Sequence, residues 1–232
     1  MCGETSGVEV EVLSSGSKGV VARVRLGRRG DVVVKVRRGG AAVDESWVAR
    51  VVTPDILIRT VTAGDSTVLV YRGCERSLRQ VVLEEAPLPP RRAIYIALSV
   101  ARQLLRLHSL GLVHGDLKPE NIAVCGGSPA IVDLDSVTRC YEPPRLRTLE
   151  YAAPEQFTAP ANLYATDVYQ LALLLHELAT GVQRNPLFGE ELVSTGVECL
   201  DRVISAATAA EPRERPSMAE LISMLEECLG LS

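Results

Sequence analysis

The sequence predicts an α+β fold, a small antiparallel sheet carrying one helix followed by a mainly helical region. Three observations predict it. Apolar residues alternate with polar ones through much of residues 8–71, the period of half-buried strands. From Ile94 the apolar spacing becomes three and four, the period of an amphipathic helix. And of the 232 residues, 47% are apolar and 23% charged, which is the balance of an ordinary globular chain long enough to bury a core.

Taken in order, Val8, Val10 and Val12 alternate with Glu9 and Glu11 as a half-buried strand. The stretch Leu13–Gly19 interrupts this, and Val20, Ala22, Val24 and Leu26 resume it, so the pair reads as a hairpin around a glycine turn. After Gly30 and Asp31 the run Val32–Val36 is a third strand with Lys35 inside it, and a lysine there is costly to bury without an anionic partner. Residues 41–50 form a short helix that Pro54 stops. Ile56–Ile58 and Thr67–Tyr71, separated by Ala63–Ser66, are two more strands. Pro87, Pro89 and Pro90 then introduce a long helix whose apolar face is Ile94, Ala97, Leu98, Ala101, Leu104, Leu105 and His108, ending at Gly111. His108 is structural on this reading. Leu171, Leu174, Leu175 and Leu178 mark a further core helix.

The net charge of −4 argues against a polyanion-binding surface, so no nucleic-acid partner is expected. The basic clusters Arg25, Arg28, Arg29 and Lys35, Arg37, Arg38 read as solvated strand and turn faces. The six cysteines are scattered without a C-x-x-C pair, which supports neither zinc nor a disulfide framework. A reducing, intracellular and cytoplasmic location is the simplest expectation. No apolar run reaches the roughly 18 residues that a membrane span needs. The first residues show neither a secretory leader nor a glycine at position two for acylation.

The chemistry concentrates in His114-Gly115-Asp116-Leu117-Lys118-Pro119-Glu120-Asn121, followed by Ile131-Val132-Asp133-Leu134-Asp135. These segments offer an acid to orient a hydroxyl, a cation two residues on, and two oxygen ligands for magnesium. Phosphoryl transfer requires such a set. At these residues the chain resembles the eukaryotic-type protein kinases of the serine/threonine kind, and the likeness extends from residue 8 to about 228. The resemblance implies a bilobal protein-kinase-like fold filling residues 1–232, with an N-lobe over about 8–73 and a C-lobe over about 75–230. It implies ATP and Mg²⁺ as cofactors and a protein substrate. It leaves the oligomeric state open.

Residue by residue, Ser14, Gly16, Gly19 and Val21 match the phosphate-covering loop, with Ser14 in place of its first glycine. Lys35 matches the lysine that holds the α- and β-phosphates. Its partner is Glu45, or Asp44 if the helix register differs. Tyr71 to Cys74 would be the hinge, with main-chain atoms near Cys74 meeting the adenine. Asp116 would be the base, Lys118 would face the γ-phosphate, and Asn121 and Asp133 would ligate magnesium. Thr148 in Thr148-x-x-Tyr151-x-Ala153-Pro154-Glu155 would reach toward Asp116 and Lys118, Glu155 would pair with Arg215, and Asp167 would brace the catalytic loop.

Two positions depart from the family pattern. Gly115 stands where many kinases carry the arginine that gathers a phosphorylated activation loop, the non-RD pattern. Asp135 replaces a glycine, which restricts the backbone and adds negative charge beside Asp133, raising neighbouring pKa values or binding a cation. Asp135 and Ser14 supply the alternative reading, a pseudokinase that binds nucleotide or a partner without catalysis. A kinase-fold enzyme acting on a small-molecule hydroxyl is a third reading. Glu120, Glu84 and Glu85 point toward basic residues before the acceptor. The trimmed chain between Gly181 and Cys199 suggests a compact genome such as that of a large DNA virus, with the host cytoplasm as location.

Overall fold

The structure is a computed structural model that describes residues 8–16, 19–27, 30–38, 45–158 and 161–230. Asp44, the tip of the glycine turn at 17–18, and Arg28 and Arg29 lie outside these residues. Five antiparallel strands build the first layer: β1 (Glu9–Gly16), β2 (Gly19–Arg25), β3 (Asp31–Arg38), β4 (Leu57–Ala63) and β5 (Ser66–Arg72), in the order β1-β2-β3-β5-β4. The helix α1 (Glu45–Val52) follows β3 and stops two residues before Pro54. In register, Lys35 lies opposite Val21 of β2 and Leu69 of β5, in the centre of the sheet.

The remainder is mainly helical. A two-residue strand β6 (Arg76–Ser77) leads into α2 (Leu78–Glu85), and the long helix α3 (Pro90–Ser109) ends in β7 (Leu112–Val113). The hairpin of β8 (Ile122–Cys125) and β9 (Ser128–Ile131) forms a three-stranded sheet with β6, while β10 (Thr138–Arg139) pairs with β7. Then come α4 (Glu155–Thr158), α5 (Tyr164–Thr180), α6 (Glu198–Ala207) and α7 (Met218–Leu229). Between α5 and α6 the helical structure is a single 3₁₀ turn, Pro186–Phe188. One continuous apolar core joins Val48 and Val52 of α1, Leu69 of β5, Ile94 to Leu107 of α3, and Leu171 to Leu178 of α5. Leu and Val dominate it, as the scarcity of aromatics requires. No helix among the described residues is long and apolar enough to cross a membrane.

The strand and helix inventory up to residue 71 is as the periodicity predicts, and several details differ. β1 is exposed along its length, with Val10 at 63%, because no layer among the described residues covers the sheet edge it occupies. Alternation reports strand geometry, whereas burial also needs a partner layer. Leu105 is exposed although it continues the α3 apolar series, because none of the described residues covers that side of the helix. The helix α2 has no counterpart in the periodicity reading, yet Ser77-x-x-Gln80 is a capping box: Gln80 N–H donates to Ser77 Oγ and Ser77 N–H to Gln80 Oε1.

The cysteines are the clearest correction. Cys74 bonds Cys125, with Cα atoms 4.4 Å apart, and Cys199 bonds Cys228, at 5.7 Å. Sequence separations of 51 and 29 residues carry no trace of this. Pairing depends on which elements the fold lays side by side, here the hinge against β8 and α6 against α7.

Candidate active site

A cleft of about 400 Å³ lies between the five-stranded sheet and the β8–β9 hairpin, within the size range of small-molecule sites. Its lining includes Ser14, Gly16, Gly19 and Val21 from the first hairpin, Lys35 from β3, Tyr71 and Cys74 after β5, and Asp133. Gly19 has no room for a side chain: a Cβ there would lie 2.0 Å from the Val36 carbonyl oxygen. Tyr71 is buried against the cleft, and burial drives its phenol above its ordinary pKa. Cys74 lines the cleft as half of a disulfide, so its contribution there is main chain and a bonded sulfur rather than a free thiol.

Lys35 gathers three acids from two separate segments, Glu45 of α1 and the stretch Asp133–Asp135 after β9. Its Nζ donates to Glu45 Oε1 at 2.7 Å, to Asp133 Oδ1 at 3.2 Å and to Asp135 Oδ1 at 2.8 Å. Glu45, at the first position of α1, is buried and is thus the partner the structure supplies. Burial opposes the Lys35 charge, but Asp133, Glu45 and Asp135 outweigh it and raise the ammonium above its usual value. Arg37 joins the same group, with Nη1 2.8 Å from Glu45 Oε2 and 2.6 Å from Asp135 Oδ1. The expectation that Lys35 and Arg37 belong to a solvated basic face is therefore wrong, because both side chains turn into a cleft that supplies carboxylates. Asp135 is also less disruptive than its sequence suggests. Tyr141 is the one non-glycine among the described residues with a positive φ, so Asp135 sits in an ordinary backbone conformation. Burial favours a neutral Asp133, yet Lys35 and the Asp135 N–H outweigh it and hold Asp133 below the usual carboxylate value rather than above it.

The loop from β7 to β8 is held from below. Asp167, at the start of α5, accepts from the backbone N–H of His114 at 2.9 Å and of Gly115 at 2.8 Å, and Gln170 accepts from Leu117 N–H. His108 donates through Nε2 to Asp167 Oδ2 at 2.8 Å, the structural part expected of it. His114 Nε2 meets the Asp133 carbonyl oxygen at 2.8 Å, tying this loop to the next. Within it, Asp116 is buried, Lys118 Nζ lies 3.1 Å from Asp116 Oδ2, and the same ammonium donates to Thr148 Oγ1 at 2.6 Å. Asp116 Oδ1 is buried and has no hydrogen-bond partner among the described residues. Asn121 Nδ2 donates to the Asp116 carbonyl at 2.8 Å, and Val132 N–H donates to the Asn121 carbonyl at 2.9 Å, which sets Asn121 beside the strand end that delivers Asp133.

The residues suit magnesium and a nucleotide. An amide oxygen and a carboxylate are hard donors, and Mg²⁺ takes one or two such protein ligands together with phosphate oxygens. Among the described residues there is no cluster of three or more His, Cys, Asp and Glu side chains arranged to hold a metal alone. Sequence reading missed Arg37 and the buried amides Gln156 and Asn162. Gln156 donates to the Gly115 carbonyl and to Asn162 Oδ1, and Asn162 donates to Thr138 Oγ1. Arg37 had a legible signal, a second cation two positions after Lys35 and hence on the same strand face. The amides had none.

The comparisons agree with this geometry. The family model described as "Protein kinase domain" matches residues 9–232. The serine/threonine-protein kinase PkaA of Streptomyces coelicolor is 31% identical over 97% of this chain and 42% of its own length. PknD of Mycobacterium tuberculosis is 32% identical over 60% of this chain and 24% of its own, and PknB of Mycobacterium leprae 30% over 75% and 32%. The chain thus spans less than half the length of these relatives, all of them bacterial. With a match along nearly its whole length and a cleft that joins Lys35, Glu45 and Asp133 above an Asp116–Lys118–Thr148 cluster, the chain belongs to the protein kinase domain family.

Proposed function

We propose that this chain is a serine/threonine protein kinase that transfers the γ-phosphoryl group of ATP to a protein hydroxyl. The observation that carries the reading is Asp116, a buried carboxylate with one oxygen on Lys118 and the other without a partner among the described residues. Such an oxygen is placed to receive the proton of an incoming serine or threonine hydroxyl. Bound Mg-ATP supplies the phosphoryl group and the cation that offsets its charge. Lys35, steadied by Glu45, holds the α- and β-phosphates, and Gly16 and Gly19 bring backbone amides close to phosphate oxygens. Asn121 and Asp133 would hold the magnesium. As the hydroxyl oxygen bonds to the γ-phosphorus, the bond from that phosphorus to the β,γ-bridging oxygen breaks and ADP leaves, the hydroxyl proton passes to Asp116, and Lys118, held by Thr148, offsets charge on the moving group.

The glutamates that pointed toward basic substrates are already engaged. Arg79 donates to Glu120 Oε1 at 2.7 Å and to Glu177 Oε1 at 2.6 Å, while Glu84 and Glu85 pair with Arg76. These residues therefore give no support to a preference for basic sequence around the acceptor. The reducing cytoplasm expected from the scattered cysteines is not supported by the two disulfides, which persist in oxidising surroundings.

The test is transfer from γ-labelled ATP to a generic protein substrate, wild type beside Asp116→Asn. The wild type is expected to transfer, and the variant to lose roughly 10²–10⁴-fold while keeping its thermal midpoint and ATP binding. Equal rates in the two proteins would remove Asp116 from the role of base.

A further inference from the structure

Residues 35 and 37 are one pleat repeat apart on β3, so both side chains enter the cleft from the same face. They meet the same acids. Glu45 gives Oε1 to Lys35 and Oε2 to Arg37, and Asp135 Oδ1 receives Lys35 at 2.8 Å and Arg37 at 2.6 Å. Asp133 adds a third carboxylate on Lys35. The Lys35, Arg37 and Asp135 side chains are between 11% and 19% exposed, so solvent screens this group weakly. Three carboxylates here face two cations. Remove Arg37 and a single ammonium faces all three, with phosphates still to arrive. Remove the charge of Asp135 as well, and one lysine faces Glu45 and Asp133.

We infer that Arg37 is a positioning residue that shares Asp135 with Lys35 and holds the second oxygen of Glu45, so that Lys35 answers less of the acid charge and can turn to nucleotide phosphates. The inference rests on the reading of this cleft as the ATP site. The extra acid at 135 and the extra base at 37 are then one device. Because the Asp135 N–H donates to Asp133 Oδ1 at 3.1 Å, holding Asp135 also holds the proposed metal ligand. A balance of this kind is broken by losing one member and restored by losing both.

The experiment compares wild type, Arg37→Met, Asp135→Asn and the double variant of the full chain, with Arg37→Lys as the charge-keeping control. Three quantities are read: affinity for a fluorescent ATP analogue with magnesium, the split of KM against kcat, and the thermal midpoint without nucleotide. Arg37→Met is expected to weaken nucleotide affinity and raise the KM for ATP about tenfold, with a smaller effect on kcat. Adding Asp135→Asn should bring affinity back to within about threefold of wild type, and the nucleotide-free midpoint of the double variant should lie above the value that the summed single losses would give. Arg37→Lys should stay near wild type, and it carries the comparison if the methionine variant does not fold. Additive losses in affinity and midpoint, or an Arg37→Met protein that binds nucleotide like wild type, would overturn the inference. A wild type that binds nucleotide without transferring phosphate, with the same rescue in affinity and midpoint, would remove the kinase reading and leave Arg37 its assignment.

Discussion

Gly115 has φ of +75°, and a Cβ built on it would lie 2.3 Å from Asn162 Nδ2. The arginine that many protein kinases carry at this place has no room here. Asn162 is buried, donates to Thr138, accepts from Gln156, and takes Tyr141 N–H on its carbonyl. Neutral amides thus hold the stretch that carries Thr138 and Tyr141 against the loop from β7 to β8. Gly115→Arg should therefore harm the protein: left-handed strain and overpacking together predict a loss of about 2–5 kcal/mol, with phosphate transfer falling in step. Urea denaturation and the transfer assay check this, and a variant as stable as wild type would mean that Asn162 yields easily. The glycine was visible in the sequence as a departure. Its reason was not, because Asn162 lies 47 residues on and contacts it only through the fold.

Among the elements, α4 depends on one ion pair. Glu155 receives Arg215 Nη1 at 2.8 Å and Nη2 at 2.9 Å, and Thr166 donates to Glu155 Oε1 at 2.7 Å. Both charged residues are buried, so removing one strands the other. Arg215→Met should cost roughly 3–5 kcal/mol in denaturant unfolding, and the double variant with Glu155→Gln should recover part of that. A loss below about 1 kcal/mol would place the stability of α4 elsewhere. This pair, like the hydrogen bonds of Asp167 to the loop from β7 to β8, was foreseen from the family resemblance, and the long helix α3 from its apolar periodicity. What escaped was burial. β1 shows the alternation of a covered strand and is bare, and Leu105 continues an apolar series into solvent, because periodicity describes one element and covering requires a second.

At the scale of the whole molecule, the two disulfides join segments distant in the chain. Reduction under denaturing conditions should add four hydrogens to the intact mass, and no mass change would mean that the four cysteines stand as thiols. The molecule should also lose stability in mild acid through His176. Burial lowers its pKa from the usual 6.5, opposed by a hydrogen bond with the Val193 carbonyl at 3.1 Å. The unfolded chain then takes up the proton first, so stability is full above about pH 6.5 and falls as pH drops toward the folded-state value. Thermal midpoints between about pH 7.5 and 5.5 should decline in the wild type and decline less in His176→Gln. Parallel profiles would assign the loss to other groups.

The sequence by itself determined the α+β class, the strands and helix up to residue 71 and the long helix α3, since these are written in local periodicity, and it proposed the polar set Lys35, Asp116, Lys118, Asn121 and Asp133 through the resemblance of its motifs. The tertiary structure decided which acids Lys35 meets, why Gly115 is glycine, which cysteines pair, and that Asp135 is answered by Arg37. Those facts depend on distances between residues up to about a hundred positions apart, and such distances exist only once the sheet, the hinge and the helices have packed.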